Sequence, residues 1–145
     1  VNRGIIEVGG LSNTLVSDNS YLVLRPGVVL SSTDAPVDAT FDANAPSVPN
    51  LEIHLSIESH TTSASLRQTV SFYDFVHQMW VQVDARQSST TDETVDICNS
   101  NNVRRFFEPN TRRIRARLSW RAVAPILSYP WRVSIDELHF VVDTT

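Results

Sequence analysis

The stretch RIRARLSWR, residues 113–121, alternates between polar and apolar side chains without a break. Its isoleucine, alanine, leucine and tryptophan share one phase, and its arginines and serine share the other. Successive side chains of a β-strand point to opposite faces, so this pattern predicts a half-buried strand. One face belongs to a core, and the other carries a row of arginines.

The same alternation occurs in LEIHLSIE, residues 51–58, and shorter segments elsewhere are rich in β-branched and aromatic residues. No apolar pattern of helical period extends over three turns. Segments rich in Pro, Gly, Asn and Ser separate the candidate strands, as turns do. The predicted strands are 4–8, 20–25, 37–42, 51–58, 67–75, 79–86, 93–98, 111–121 and 131–142. The sequence therefore predicts an all-β, two-sheet antiparallel sandwich that covers 1–145 as a single domain.

The predicted core is the apolar phase of these strands. One strand loses phase: Val133 and Ile135 alternate together, but Leu138 and the apolar residues after it fall on the opposite phase. One extra residue reverses the alternation, so we expect a bulge at Asp136-Glu137. The predicted core residues are Leu51, Ile53, Leu55, Ile57, Val70, Phe72, Ile114, Leu118, Trp120, Val133, Ile135, Leu138 and Phe140.

The charges are unevenly distributed. The chain has 145 residues, 16 acids and 12 basic residues, all of them arginine, for a net charge of −4. Acids dominate residues 1–66, whereas residues 104–117 hold six arginines and one glutamate. The acidic balance argues against a nucleic-acid-binding domain. No apolar run approaches the roughly 20 residues of a membrane-spanning helix, so membrane insertion is not expected.

Arg113, Arg115 and Arg117 form a row of like charges that needs opposing acids. The reading that the pattern favours is intramolecular pairing, with Glu52, Glu58 or Asp96 as cross-strand partners. The functional alternative is docking on an acidic patch, either on a polysaccharide or on the acidic 1–66 half of a second copy. Nucleic acid ranks lower, because no aromatic residues interleave with these arginines.

Two aromatic residues are further binding candidates. Trp80 opens a strand whose valines lie on the opposite face, so it is expected to be half exposed. Tyr129 precedes a proline in the connection 121–130 and is the least constrained aromatic near the end of the chain. Trp120 and Trp131 share the phase of core residues and are expected to be packing residues.

Metal and cofactor signals are weak. A bulge aspartate such as Asp136 is able to ligate calcium through oxygen, with Asp18 as a second ligand. A solvated bulge without metal is the reading that the pattern favours, and no other cofactor is expected.

No catalytic motif is present. The four histidines show no zinc-binding spacing on one element, so a zinc site would need long-range convergence. The chain contains no glycine-rich phosphate loop and no G-x-S-x-G elbow. Cys98 has no partner for a disulfide bond and is expected to pack as a small apolar residue. The sequence predicts a protein that is not an enzyme.

Longer motifs carry a resemblance. These are QTVSFYDF at residues 68–75, WVQVDAR at 80–86, RIRARL at 113–118, the opening SDNSYLVLRPG at 17–27 and the closing Tyr129 to Asp136. Together they resemble jelly-roll β-sandwich modules of large secreted bacterial surface proteins, which are similar to carbohydrate-binding modules and galactose-binding-like domains. The resemblance implies a secreted or cell-surface location and a role in binding or assembly.

Two functions remain open. The first is a non-catalytic extracellular assembly module, held to copies of itself or to other extracellular proteins by edge strands and complementary charge. The alternative is a glycan-binding module of the jelly-roll type, which needs exposed aromatics or a polar cleft on one sheet face. The charge asymmetry slightly favours assembly.

Overall fold

The computed structural model describes residues 1–47 and 52–143, and every predicted strand is found within them. The ends differ from the predicted ones by only a few residues. Two short 3₁₀ helices, Leu11–Thr14 and Val103–Phe106, lie between strands. The strands are β1 (Ile5–Val8), β2 (Leu22–Arg25), β3 (Val37–Asn44), β4 (Glu52–Thr61), β5 (Leu66–Asp74), β6 (Met79–Gln87), β7 (Glu93–Asn99), β8 (Arg113–Ala122) and β9 (Val133–Asp143).

The strands form two antiparallel sheets. A five-stranded sheet has the order β1-β2-β9-β4-β7, and a four-stranded sheet has the order β3-β8-β5-β6. The chain crosses between the sheets at most connections, and β5 and β6 form a hairpin within one sheet. This arrangement is a jelly-roll β-sandwich, which confirms the predicted fold class.

The core lies between the sheets and contains the predicted apolar phase of β4, β5, β8 and β9. Of the predicted core residues, Phe140 is partly buried against the core, and Leu51 lies outside the described residues. The others are buried, including Trp120, and Trp131 is buried as well. Phe106 and Phe107, beside the second 3₁₀ helix, add to the same cluster. The alternation in the sequence therefore identified which face of β4, β5, β8 and β9 is buried.

The predicted bulge is present in β9. Glu58 of β4 pairs with Glu137, and the next residue, Ser59, pairs with Ile135, so Asp136 is the extra residue. The bulge keeps both Ile135 and Leu138 in the core. Asp136 itself is only 1% exposed, so the expectation of a solvated bulge was wrong.

Among residues 1–47 and 52–143, no helix is long and apolar enough to cross a membrane.

Trp120 tests the core assignment. It is fully buried, and we expect Trp120→Ala to lower the free energy of unfolding by about 3–5 kcal/mol, because it removes a large apolar side chain and leaves a cavity. Urea unfolding followed by circular dichroism measures the loss. Tyr129→Ala is the control: that side chain is 74% exposed, and its removal should change stability by less than about 0.5 kcal/mol. Equal stability of the two variants would contradict the assigned core.

Candidate functional site

The outer face of the four-stranded sheet brings together four of the five predicted binding residues. Burial of the alternate residues of β8 turns Arg113, Arg115 and Arg117 outward. Trp80 lies at the start of β6, at the edge of the same sheet, and is half-buried. Tyr129 is separate from them, in the connection between β8 and β9, where it is largely exposed as expected.

Acidic residues of β3 pair with the arginine row. β3 and β8 are antiparallel neighbours, with Asp42 directly opposite Arg115. Nε and Nη2 of Arg115 donate to the two carboxylate oxygens of Asp42 at 2.8 and 3.0 Å. Nε of Arg117 donates to both oxygens of Asp38 at 3.0 and 2.9 Å, and its Nη2 donates to Asp38 as well. Such two-point pairs fix the orientation of each guanidinium group.

The third arginine completes the row. Nη2 of Arg113 donates to Glu108 at 2.6 Å, and its Nη1 lies 3.6 Å from Asp42. The row therefore contains three guanidinium groups and three carboxylates. We call this set of six residues the ion-pair ladder: Arg113, Arg115, Arg117, Asp38, Asp42 and Glu108.

The ladder corrects the predicted partners. Intramolecular pairing was expected with Glu52, Glu58 or Asp96, but these residues lie on β4 and β7 of the opposite sheet. The true partners from β3 belong to the acidic 1–66 half of the same chain, not to that half of a second copy. The sequence contained a signal for them, since Asp38, Thr40 and Asp42 alternate with apolar residues in VDATFDAN, residues 37–44. Which strand lies beside β8 was not visible in it.

The ion pairs of the ladder also shift the pKa values of their members. A hydrogen bond from Arg115 lowers the pKa of Asp42, although partial burial opposes this, and the charges of Arg115 and Arg113 lower it further. The hydrogen bonds that Arg117 donates to Asp38 likewise raise the pKa of Arg117. Asp42 and Arg117 therefore both remain ionised at neutral pH.

Two depressions that share Arg117 lie over part of the ladder, and we call them together the trough. One depression has a volume of about 570 Å³ and is lined by Arg115, Arg117 and Trp80. Thr40 and Asp42 of β3, together with Asn2, complete its lining. A smaller one of about 210 Å³ continues past Arg117 to Ser119 and the loop at Asp34. The two share Arg117, so together they extend along β8 for about 13 Å, the rise of four strand residues from Arg115 to Ser119.

Trp80 forms the aromatic part of this face. Its ring lies 5.1 Å from that of Tyr73 in an edge-to-face arrangement, and the guanidinium carbon of Arg117 lies 5.7 Å from its centroid. These contacts hold the indole beside the arginines.

Asp136 and Asp18 lie close together but are engaged with the backbone. The carboxylate of Asp136 accepts hydrogen bonds from the backbone N–H groups of Asp18 at 3.3 Å and Asn19 at 3.1 Å. The side chain of Asp18 accepts from the backbone N–H of Ser20 at 2.9 Å. Backbone donors thus contact both oxygens of Asp136 and one oxygen of Asp18. Among the described residues, neither aspartate belongs to a convergent group of three His, Cys, Asp or Glu side chains. The calcium site stays a prediction, which metal analysis of purified protein would test.

A tyrosine, a histidine and an aspartate meet near the other sheet. Tyr21 donates from its hydroxyl to Asp92 at 2.6 Å, and Nδ1 of His60 lies 2.6 Å from the same carboxylate. The hydrogen bond with Asp92 raises the pKa of Tyr21 to about 12. The phenol therefore stays protonated at neutral pH and ties the loop before β2 to the loop before β7.

Cys98 corrects a further expectation. It is exposed on the outer face of β7, not packed as an apolar residue. The segment ETVDIC, residues 93–98, contained the signal, because Cys98 shares the phase of Thr94 and Asp96 whereas Val95 and Ile97 are buried.

Comparison with known proteins supports the fold. No protein-family model and no curated protein matches the sequence. The solved structures that are similar include the following two. One is TmCBM61 in complex with β-1,4-galactotriose. The match covers 73% of this chain and 62% of that chain, with 12% sequence identity and a TM-score of 0.46. The other is a CBM4 structure, with 10% identity over 87% of this chain, 73% of that chain and a TM-score of 0.53. The chain thus has the jelly-roll β-sandwich fold of a carbohydrate-binding module.

The lowered pKa of Asp42 predicts acid sensitivity of the ladder. The pKa of Asp42 is lower in the folded protein than in the unfolded chain, where it is about 3.9. Ionised Asp42 therefore stabilises the fold above about pH 4, and this stabilisation is lost as the pH falls through the folded-state pKa. We expect the melting temperature of Asp42→Asn to fall less than that of the wild type as the pH is lowered through about 4. Melting curves of both proteins across acidic pH measure this. Parallel curves would show that Asp42 has the same pKa in both states.

Proposed function

We propose that this protein is a non-catalytic carbohydrate-binding module that holds an extended, neutral glycan in the trough over the ion-pair ladder. The observation that carries the proposal is the elongated polar trough, with Trp80 on one side and fixed guanidinium groups along its floor. The jelly-roll fold shared with a carbohydrate-binding module supports it. Because the trough extends beyond one sugar ring, a chain fits it better than a monosaccharide.

The charge balance of the ladder supports a neutral ligand. Its three arginines each pair with a carboxylate of the same chain, so little positive charge is left to attract an acidic polymer. Arg115 and Arg117 use Nε and Nη2 for these pairs, and among the described residues their Nη1 groups have no protein acceptor. Those N–H groups are suitably placed to donate to sugar hydroxyl oxygens. Pre-ordered side chains lower the entropic cost of binding.

The ion pairs of Asp42 and Asp38 also support the non-catalytic part of the proposal. Glycoside hydrolysis needs a carboxylic acid whose pKa is raised so that it carries a proton near neutral pH. The pKa of Asp42, in the trough, is lowered instead. Asp38 is clamped by Arg117 and is only 1% exposed. We also propose that the protein acts outside the cell, where polysaccharides are found.

Trp80 is the residue that tests the site. An indole face packs on the apolar C–H face of a sugar ring, and truncating an aromatic anchor of this kind costs about 2 kcal/mol or more. We expect Trp80→Ala to weaken binding to the best polysaccharide of a neutral panel by at least about tenfold. Affinity gel electrophoresis and calorimetry measure the change, and the wild-type affinity should be the same at low and high salt because the ligand is uncharged.

Tyr129→Ala is the matched control, since Tyr129 is an exposed aromatic away from the trough. It should bind like the wild type. Loss of binding in Tyr129→Ala with retention in Trp80→Ala would move the site to the connection between β8 and β9. No binding to any neutral polysaccharide, with salt-sensitive binding to an acidic one, would contradict the proposed ligand class.

The edge of the five-stranded sheet favours a second candidate function, self-assembly. β1 is an edge strand with all four residues exposed, and Ile5, Ile6 and Val8 are 45%, 50% and 58% exposed. An exposed apolar edge strand pairs readily with another chain, and a lysine there blocks such pairing. If the protein assembles, Ile6→Lys should be monomeric by light scattering at concentrations where the wild type and Trp80→Ala are not. A wild type that is monomeric throughout would rule this candidate out and leave the glycan proposal untouched.

A further inference from the structure

The outer face of the five-stranded sheet holds a cluster of metal-binding side chains, which we call the Glu-His-Cys cluster: Glu52, His54 and Cys98. β4 and β7 are antiparallel neighbours, and His54 is directly opposite Cys98. Glu52 precedes His54 by two residues and so lies on the same face of β4. Glu52 is therefore a diagonal neighbour of Cys98, within reach of a long side chain.

The three possible ligand atoms form a nearly regular triangle. Sγ of Cys98 lies 3.7 Å from Nε2 of His54 and 3.7 Å from Oε2 of Glu52, and those two atoms are 3.3 Å apart. Tetrahedral Zn²⁺ with its usual bond lengths to sulfur, nitrogen and oxygen separates the same atom pairs by about 3.6, 3.5 and 3.3 Å. The observed triangle matches one face of a zinc tetrahedron without any movement of the strands.

A carboxylate also lies near the second ring nitrogen of His54. Nδ1 of His54 is 3.7 Å from Oδ1 of Asp96, which is within ion-pair distance but longer than a hydrogen bond. Asp96 precedes Cys98 by two residues on the same face of β7. A carboxylate on the second ring nitrogen fixes the histidine tautomer that leaves Nε2 able to bind metal. Two carboxylates around one imidazole also give the cluster an excess of negative charge, which a divalent cation balances.

We infer that Glu52, His54 and Cys98 bind one Zn²⁺ ion, with Asp96 as the carboxylate that orients His54. The mixed sulfur, nitrogen and oxygen donors suit Zn²⁺ and not calcium or magnesium, which take oxygen ligands. Three protein ligands leave a fourth coordination position for water, and Cys98 is exposed, so solvent reaches the ion. The site is on the opposite sheet from the trough and does not depend on the proposed glycan function.

Metal titration of the untagged, reduced protein tests this inference. We expect Zn²⁺ to bind with a stoichiometry of one in calorimetry, and Co²⁺ to give a thiolate charge-transfer band together with the visible bands of tetrahedral cobalt. Cys98→Ser should abolish the charge-transfer band and weaken Zn²⁺ binding by more than tenfold. Asp96→Asn should keep the band but weaken binding by about tenfold, as expected for an orienting partner.

His139→Gln is the matched control. His139 lies on the same outer face, where it shares a depression of about 540 Å³ with His54 and Asp96, but it does not belong to the triangle. Its loss should leave the cobalt spectrum and the zinc affinity unchanged. Three results would overturn the inference: no saturable metal binding by the wild type, unchanged affinity in Cys98→Ser, or an equal loss in His139→Gln and His54→Gln. Circular dichroism of each variant without metal shows that it is folded.

Discussion

Strands β4, β7 and β8 each bury one face only, and the other face goes to solvent or into polar pairing. This constraint places both candidate sites. Burial of Ile114, Ala116 and Leu118 forces the three arginines of β8 onto one outer surface in a single row. On the other sheet, burial of alternate residues of β4 and β7 forces Glu52, His54 and Cys98 outward together. Neither arrangement needs a loop to position it.

The ion-pair ladder decides what kind of ligand the outer face of the four-stranded sheet suits. An unpaired row of arginines would favour an acidic polymer or an acidic protein patch. Asp38, Asp42 and Glu108 remove that preference by pairing with the row in their own chain. Asp38 is almost fully buried, so leaving its carboxylate without Arg117 would be costly. The remaining surface is polar, ordered and nearly neutral, which suits hydroxyl-rich ligands.

The alternation in the sequence predicted the strands, the buried phase and the β9 bulge, because these are local consequences of side-chain period. It did not predict which strands are neighbours, since pairing is set by the whole topology. For that reason Glu52, Glu58 and Asp96 were assigned to the arginines, although they lie on the opposite sheet. The proximity of His54 and Cys98 could not be predicted for the same reason, because they are 44 residues apart in the chain and meet only through strand pairing. Cys98 is a different case: its phase, shared with Thr94 and Asp96, indicates the outer face, whereas cysteine as a residue type is usually buried.

The core also separates the two candidate sites. The trough and the Glu-His-Cys cluster lie on opposite outer faces, and the space between them is filled by fully buried side chains such as Leu55, Phe72 and Leu118. Close packing resists small continuous shifts, and a one-residue slip of any strand would turn its apolar side chains to solvent. A ligand on one face therefore has no low-energy rearrangement through which to alter the other. Metal occupancy and glycan affinity should be independent properties of this domain, each set by the register of its own sheet.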